Sequence, residues 1–261
     1  MADIAIIGGG NMGEALIKGL HKHKLFVCES NPGRVRYLKE KYKITVAEIA
    51  DAVSASSIVI LAVKPQDMEN MLVETRHCLV STDKLFISIA AGITTSYIEK
   101  ILSTKIKVIR TMPNMPAMIG EGITAVCAGK YAKAVDLKAA CKIFDYLGKT
   151  VVVKENLMDA ITAVSGSGPA YVFFFMECLI KSAEALGLKS DLSKELVMAT
   201  FLGSVHLLEK QSIEPGILRA KVISKGGTTA AALDVFLKGK FNHLVYQALF
   251  AAKKRAKELS T

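Results

Sequence analysis

The sequence predicts an α/β fold: a doubly wound, mostly parallel sheet with helices on both faces, continued by an all-α region. Three observations predict it. Short apolar runs alternate with helix-length segments through the first half. The glycine pattern G-x-G-x-x-G stands at the first strand-to-helix turn. Strand signals then stop after about Val153, and helical segments follow to the C-terminus.

The strand candidates are Asp3–Ile7, Leu25–Cys28, Ser57–Val63, Leu85–Ile89, Lys107–Arg110 and Ile123–Cys127. Several are almost continuously apolar, as strands covered on both faces must be. Between them lie helix candidates at Asn11–Gly19, Arg34–Lys41, Asp67–Thr75 and Ala132–Tyr146. In the second half Pro169 is placed to open a helix and Gly187 to stop it. Pro215 opens another, Thr228–Lys238 ends at Gly239, and Phe241–Leu259 is the last. The expected division is 1–155 for the α/β domain and 156–261 for the all-α domain.

Composition narrows the function. With 261 residues, 51% hydrophobic and 22% charged, the chain can bury a sizeable core and is neither disordered nor a coiled coil. Aromatics are 7% and Trp is absent, so aliphatic side chains must carry that core. The apolar run Ala170–Met176 is broken by Glu177, which makes it too short to span a bilayer. Met1 is followed by Asp3 and a glycine cluster without a basic n-region, so no secretory signal is expected. Five widely spaced cysteines with no C-x-x-C pair read as small hydrophobes in a reducing compartment, not disulfides or metal ligands. The expectation is a cytoplasmic protein without a metal or membrane partner. Its net charge of +10 is spread along the chain, with small knots at His21–Lys24, Arg34–Lys43 and Lys253–Lys257. Such spreading suits solvated helix faces and a field that draws in small anions, not nucleic acid.

The glycine turn gives the first chemistry. In Ile7-Gly8-Gly9-Gly10-Asn11-Met12-Gly13, Gly8 allows a tight turn, Gly10 lets a pyrophosphate approach the backbone, and Gly13 lets helix and strand pack closely. The free N–H groups at the helix start would hold the phosphates, giving a Rossmann-type site for NADP or NAD. The choice between the two stays open here. Glu29, ending the second strand, would accept hydrogen bonds from a ribose 2′-hydroxyl and repel a 2′-phosphate. Ser30, Asn31, Arg34 and Arg36 follow at once and could instead cradle that phosphate. Val63-Lys64-Pro65-Gln66 leaves a strand at its carboxyl end, where open α/β sheets bind ligands, and Lys64 could approach the cofactor. Ala90 leaves the next strand in the same way and completes the cofactor-binding set. The two prolines of Arg110–Pro116 suit a fixed wall beside the nicotinamide or a purely structural loop.

The helical half carries two small-residue motifs, Ser165-Gly166-Ser167-Gly168-Pro169-Ala170 and Ser224-Lys225-Gly226-Gly227-Thr228-Thr229-Ala230. A helix start of this kind can bind a carboxylate through backbone N–H groups. Capping by Ser or Thr would account for either motif alone.

Together, Gly8–Gly13, Val63–Gln66, Arg110–Pro116, Ala163–Tyr171 and Leu218–Thr229 resemble pyrroline-5-carboxylate reductase, in order and over essentially the whole chain. The resemblance departs from the family's usual pattern at Lys225, where the family has Pro, and around Met112 and Met115. It implies an N-terminal Rossmann domain and an all-α dimerisation domain, with dimers often assembled into decamers. It also implies reduction of 1-pyrroline-5-carboxylate to L-proline, the last step of proline biosynthesis. The substrate carboxylate would lie on the backbone of Gly226, Gly227, Thr228 and Thr229, with Ser165, Ser167 and Glu155 nearby. Thr229 would hydrogen-bond the ring nitrogen. A cyclic imine is basic and can enter protonated, which fits the lack of His or Tyr in either motif. The alternatives are a reductase of another cyclic imine, a β-hydroxyacid dehydrogenase using Lys181 or Lys194, and a non-catalytic dinucleotide sensor.

Overall fold

Alternate residues of the first strand point to opposite faces and start two separate cores. Ile4 and Ile6 enter one, Ala5 and Ile7 the other, and all four are buried. The computed structural model that places them describes residues 2–102 and 105–259. Its sheet comprises β1 (Asp3–Ile7), β2 (Lys24–Cys28), β3 (Thr45–Val46), β4 (Ile58–Leu61), β5 (Leu85–Ser88), β6 (Lys107–Met112), β7 (Gly122–Ala128) and β8 (Gly148–Val152). The order is β3-β2-β1-β4-β5-β6-β7-β8. Pairing is parallel except between β6 and β7, where Arg110 stands opposite Cys127.

Helices α1 (Asn11–Gly19), α2 (Pro32–Lys41) and α6 (Ala134–Phe144) bury Leu16, Leu38 and Phe144 against the Ile4–Ile6 face. Helices α3 (Ile49–Ala55), α4 (Met68–His77) and α5 (Thr95–Leu102) bury Val53, Leu72 and Ile98 against the other. The sheet is therefore doubly wound, and its strand order reverses beside β1, where such folds open a crevice.

To the segments named from sequence the structure adds β3, β8, α3 and α5 in the α/β half, and the helices Met158–Ile161 and Ser190–Gln211 after it. β3 has only two residues. β8 is an edge strand with an exposed, half-polar sequence, so it shows neither alternation nor an apolar run. The helix α2 starts two positions ahead of its expected Arg34, because Asn31 caps it and Pro32 occupies its first turn.

The chain forms two compact units, 1–169 with 250–261, and 170–249. The 155/156 division marks where strands end. Contacts divide later, inside the helix that follows. In the first unit α7 (Met158–Ile161) continues through a π-helical turn, Thr162–Gly166, into α8 (Gly168–Ala185). In the second unit follow α9 (Ser190–Gln211), α10 (Pro215–Val222) and α11 (Thr228–Lys238), and α12 (Phe241–Glu258) begins there. Within 170–249 only Ser193 and Val197 are buried. Phe175 stacks on Phe241 at 5.9 Å and meets Phe201 edge-on at 6.0 Å, while much of the remaining apolar surface is uncovered.

The apolar run Ala170–Met176 ends at Glu177, but the helix does not. Glu177 pairs with Lys181 one turn on, and the helix carries through it. The helical stretch Glu155–Ala185 holds an 18-residue window with a mean hydropathy of 1.4 and 6% of it buried, long and apolar enough to cross a membrane by length and composition. Apolar surface of this extent on a helical unit with so few buried residues is what a subunit interface covers.

Candidate active site

The turn from β1 to α1 is built around close backbone approaches. Gly8 has φ +108, and a Cβ there would sit 2.5 Å from the Ala62 carbonyl oxygen of the neighbouring strand exit. A Cβ on Gly13 would collide with the Gly8 carbonyl oxygen. Gly10 is different. A Cβ there would have nothing within 4 Å, because the residue faces open space. It is also the N-cap of α1 and offers no side-chain cap, so the first N–H groups of the helix are left for a ligand. That opening is where a diphosphate fits.

A cleft of about 670 Å³ lies at this turn. It brings together Ile7, Gly8, Gly10, Glu29, Ser30, Val63 and Lys64 from the sequence-predicted set. Sequence reasoning missed Ala47, Glu48 and Ile49, which follow the two-residue β3, and Asp67, Met71 and Glu74, just before and along α4. The signal that could have found them is positional: ligands sit outside the carboxyl ends of parallel strands.

The other predicted cofactor residues stand around the cleft. Gly9 is buried and donates its N–H to Glu29 Oε2 at 2.8 Å. Asn11 and Met12 start α1, and Met12 packs on the core. Asn31 accepts from the Arg34 N–H, Pro65 opens a short 3₁₀ turn, and Ala90 is buried with its N–H on Ser88 Oγ at 3.3 Å. Arg34 is held by Glu14 on α1, whose carboxylate also accepts from Tyr37, Tyr42 and Lys41. Burial alone would raise the Glu14 carboxyl. The bonds from Lys41, Tyr37, Tyr42 and Arg34 outweigh it and bring the group down to about 2.

A second constellation forms where β6 leaves the sheet. A Cβ on Gly166 would sit 2.5 Å from Met112 Cε, so the π-helical small-residue turn packs on the end of β6. The Ser165 hydroxyl donates to the Ile161 carbonyl at 3.1 Å, and the Ser167 N–H closes the π-helical turn on the Thr162 carbonyl at 2.9 Å. Glu155, expected beside a substrate, has its oxygens on the Thr95 N–H at 2.8 Å and the Thr95 hydroxyl at 2.7 Å, with buried Arg110 at 3.4 Å.

The helical unit holds the other motif. Gly226 has φ +73, and Gly227 is the N-cap of α11 with no side-chain cap. Thr228 and Thr229 form the first turn behind it. Among the described residues no group of three or more His, Cys, Asp or Glu is gathered as a metal ion would require. Cys28 and Cys127 are pushed up to about 12 by burial first and then by neighbouring carboxylates, so neither is a nucleophile near neutral pH.

A doubly wound sheet with an open, uncapped helix start at its switch point defines the class: an NAD(P)-dependent oxidoreductase. Residues 3–92 match the family described as NADP oxidoreductase coenzyme F420-dependent, and residues 155–259 match pyrroline-5-carboxylate reductase dimerisation. The pyrroline-5-carboxylate reductase of Mycobacterium tuberculosis is 38% identical, with 99% of this chain and 97% of the relative covered. A pyrroline-5-carboxylate reductase structure from Coxiella burnetii superposes with a TM-score of 0.89 at 34% identity, covering 100% of this chain and 99% of that one. The Plasmodium falciparum pyrroline carboxylate reductase with NADP bound gives 0.90 at 31% identity, covering 100% and 98%. The chain belongs to the pyrroline-5-carboxylate reductase family.

Proposed function

We propose that this chain reduces 1-pyrroline-5-carboxylate to L-proline, the last step of proline biosynthesis, with NADH or NADPH as hydride donor. The observation that carries the reading is full-length similarity to pyrroline-5-carboxylate reductases in a chain that keeps both glycine-led helix starts, at Gly10 and at Gly227. The dinucleotide, when bound, supplies the hydride for the C=N carbon. The protein's part is binding and orientation. The start of α1 holds the diphosphate through backbone N–H groups, and Gly226–Thr229 holds the substrate carboxylate in the same manner. Thr229, through its hydroxyl, orients the ring nitrogen. A substrate that enters as the iminium needs no strong acid, which matches a loop made of Gly, Thr, Ser and Lys225. Ser165 and Ser167, in and at the end of the π-helical turn, flank the substrate. Glu155 acts through Thr95 and Arg110, keeping the β6 exit in place. The enzyme works as a cytoplasmic dimer through its helical unit, with decamers as a further assembly.

The test is turnover of 1-pyrroline-5-carboxylate, followed as loss of reduced-nicotinamide absorbance with each cofactor. Cofactor oxidation with proline as the product is expected. No turnover with this imine, alongside oxidation of 3-hydroxyisobutyrate with NAD or NADP, would move the chain to the hydroxyacid dehydrogenases.

A further inference from the structure

The cleft beside the glycine turn bears on which dinucleotide it takes. Glu29 stands at its rim, and backbone fixes both oxygens of its carboxylate: Oε2 accepts the Gly9 N–H and Oε1 the Asn31 N–H, each at 2.8 Å. A carboxylate has about four acceptor positions, so each oxygen keeps one for a hydroxyl. Held in this way, the group does not swing aside for a phosphate. Glu48, Asp67 and Glu74 line the same cleft, with Lys64 as its basic residue.

The guanidinium that could serve a 2′-phosphate is engaged elsewhere. Arg34 Nε donates to the Gly9 carbonyl at 2.6 Å, and its Nη2 donates to Glu14 Oε2 at 2.5 Å. Its Cζ lies over the Tyr37 ring, 4.9 Å from the centroid. Glu14 is in turn clamped by Tyr37, Tyr42 and Lys41, so the ion pair is one part of a rigid cluster between α1 and α2. Arg36 is exposed on α2, and neither arginine lines the cleft.

We propose that this chain selects NADH over NADPH through two glutamates. Glu29 takes the ribose hydroxyls and repels a 2′-phosphate, and Glu14 keeps Arg34 from reaching one. The proposal rests on the reading of the cleft as a nicotinamide-dinucleotide site. Isothermal titration of the full chain with NADH and with NADPH tests it without turnover. NADH should bind at least ~10-fold more tightly, since a like charge facing a phosphate is strongly unfavourable. Glu29→Gln keeps an amide oxygen for the Gly9 N–H, gives up the Asn31 bond and removes the charge, and should narrow the ratio by tightening NADPH relative to NADH. Glu14→Gln should tighten NADPH while leaving NADH affinity unchanged, which also reports a folded chain. NADPH bound as tightly as NADH by the unaltered chain would overturn the proposal, as would Glu14→Gln with unchanged NADPH affinity. Binding of neither dinucleotide would instead overturn the reading of the cleft, and the proposal with it.

Discussion

Arg110 on β6 lies 3.4 Å from Glu155, and the same carboxylate holds Thr95 at the start of α5 through two shorter bonds. Asp159 takes the other side of the guanidinium, also at 3.4 Å. The arginine is 3% exposed. Two carboxylates therefore share one buried cation where the sheet ends and the helices begin. Breaking a buried pair by removing one partner is costly, because the remaining charge is left desolvated. Glu155→Gln should lower stability by ~1–3 kcal/mol, seen as a lower urea midpoint at an unchanged slope. Turnover per folded molecule should change little, since both carboxylate oxygens are already engaged by Thr95.

The glycine turn separates folding from binding. Gly10 has ordinary extended backbone and empty space before it, so Gly10→Ala should melt within a degree or two of the unaltered protein. Its methyl group occupies the diphosphate's place and should weaken dinucleotide binding by ~10-fold or more. Gly8→Ala should do the reverse of a clean binding defect. Its positive φ and the backbone of Ala62 leave no room, and a loss of ~2–4 kcal/mol is expected by denaturant unfolding.

Acid should expose the role of Glu14. Its folded-state value of about 2 lies below the ordinary 4.5, so its contribution is complete above the latter and fades as pH falls towards the former. Solvent reaches the cluster, which reduces the contribution to roughly 1–2 kcal/mol. The stability difference between the unaltered chain and Glu14→Gln should shrink as the solution is taken from about pH 5 to about pH 2. Chemical denaturation across that range measures it.

Thr229 is the residue whose hydroxyl is assigned to the ring nitrogen. Thr229→Val keeps the shape of the first turn of α11 and removes only the oxygen. It should cut kcat by ~10–100-fold with little change in dinucleotide affinity, as for the loss of one positioned hydrogen bond in a transition state. Steady-state kinetics beside a cofactor titration separates the two effects; unchanged kcat would remove the assigned role.

Several boundaries were legible because local signals agree there. Gly10 and Gly19 bound α1, and Gly227 and Gly239 bound α11, as the spacing of glycines and apolar residues predicts. The two-residue β3 was not legible, since two residues carry no period. Nor was α5, whose sequence Thr95-Ser96-Tyr97-Ile98 reads as readily as strand. In the site, Gly8, Gly10 and Glu29 were legible from the glycine pattern and its distance to the next strand end. Glu48, Asp67 and Glu74 were not, because they meet the cleft only through strand order.

By itself the sequence determined the class of fold, the open glycine-led helix start and the family, since each depends on short-range pattern or on order along the chain. Tertiary structure decided what the charged residues do. Arg34 and Glu14 are 20 positions apart, and Arg110 and Glu155 are 45 apart. Nothing local to either pair fixes the partner. An arginine next to a predicted phosphate site and a glutamate next to a predicted substrate site look available in sequence. Folding brings each of them a counter-charge from a distant part of the chain, and that pairing sets the orientation of both side chains.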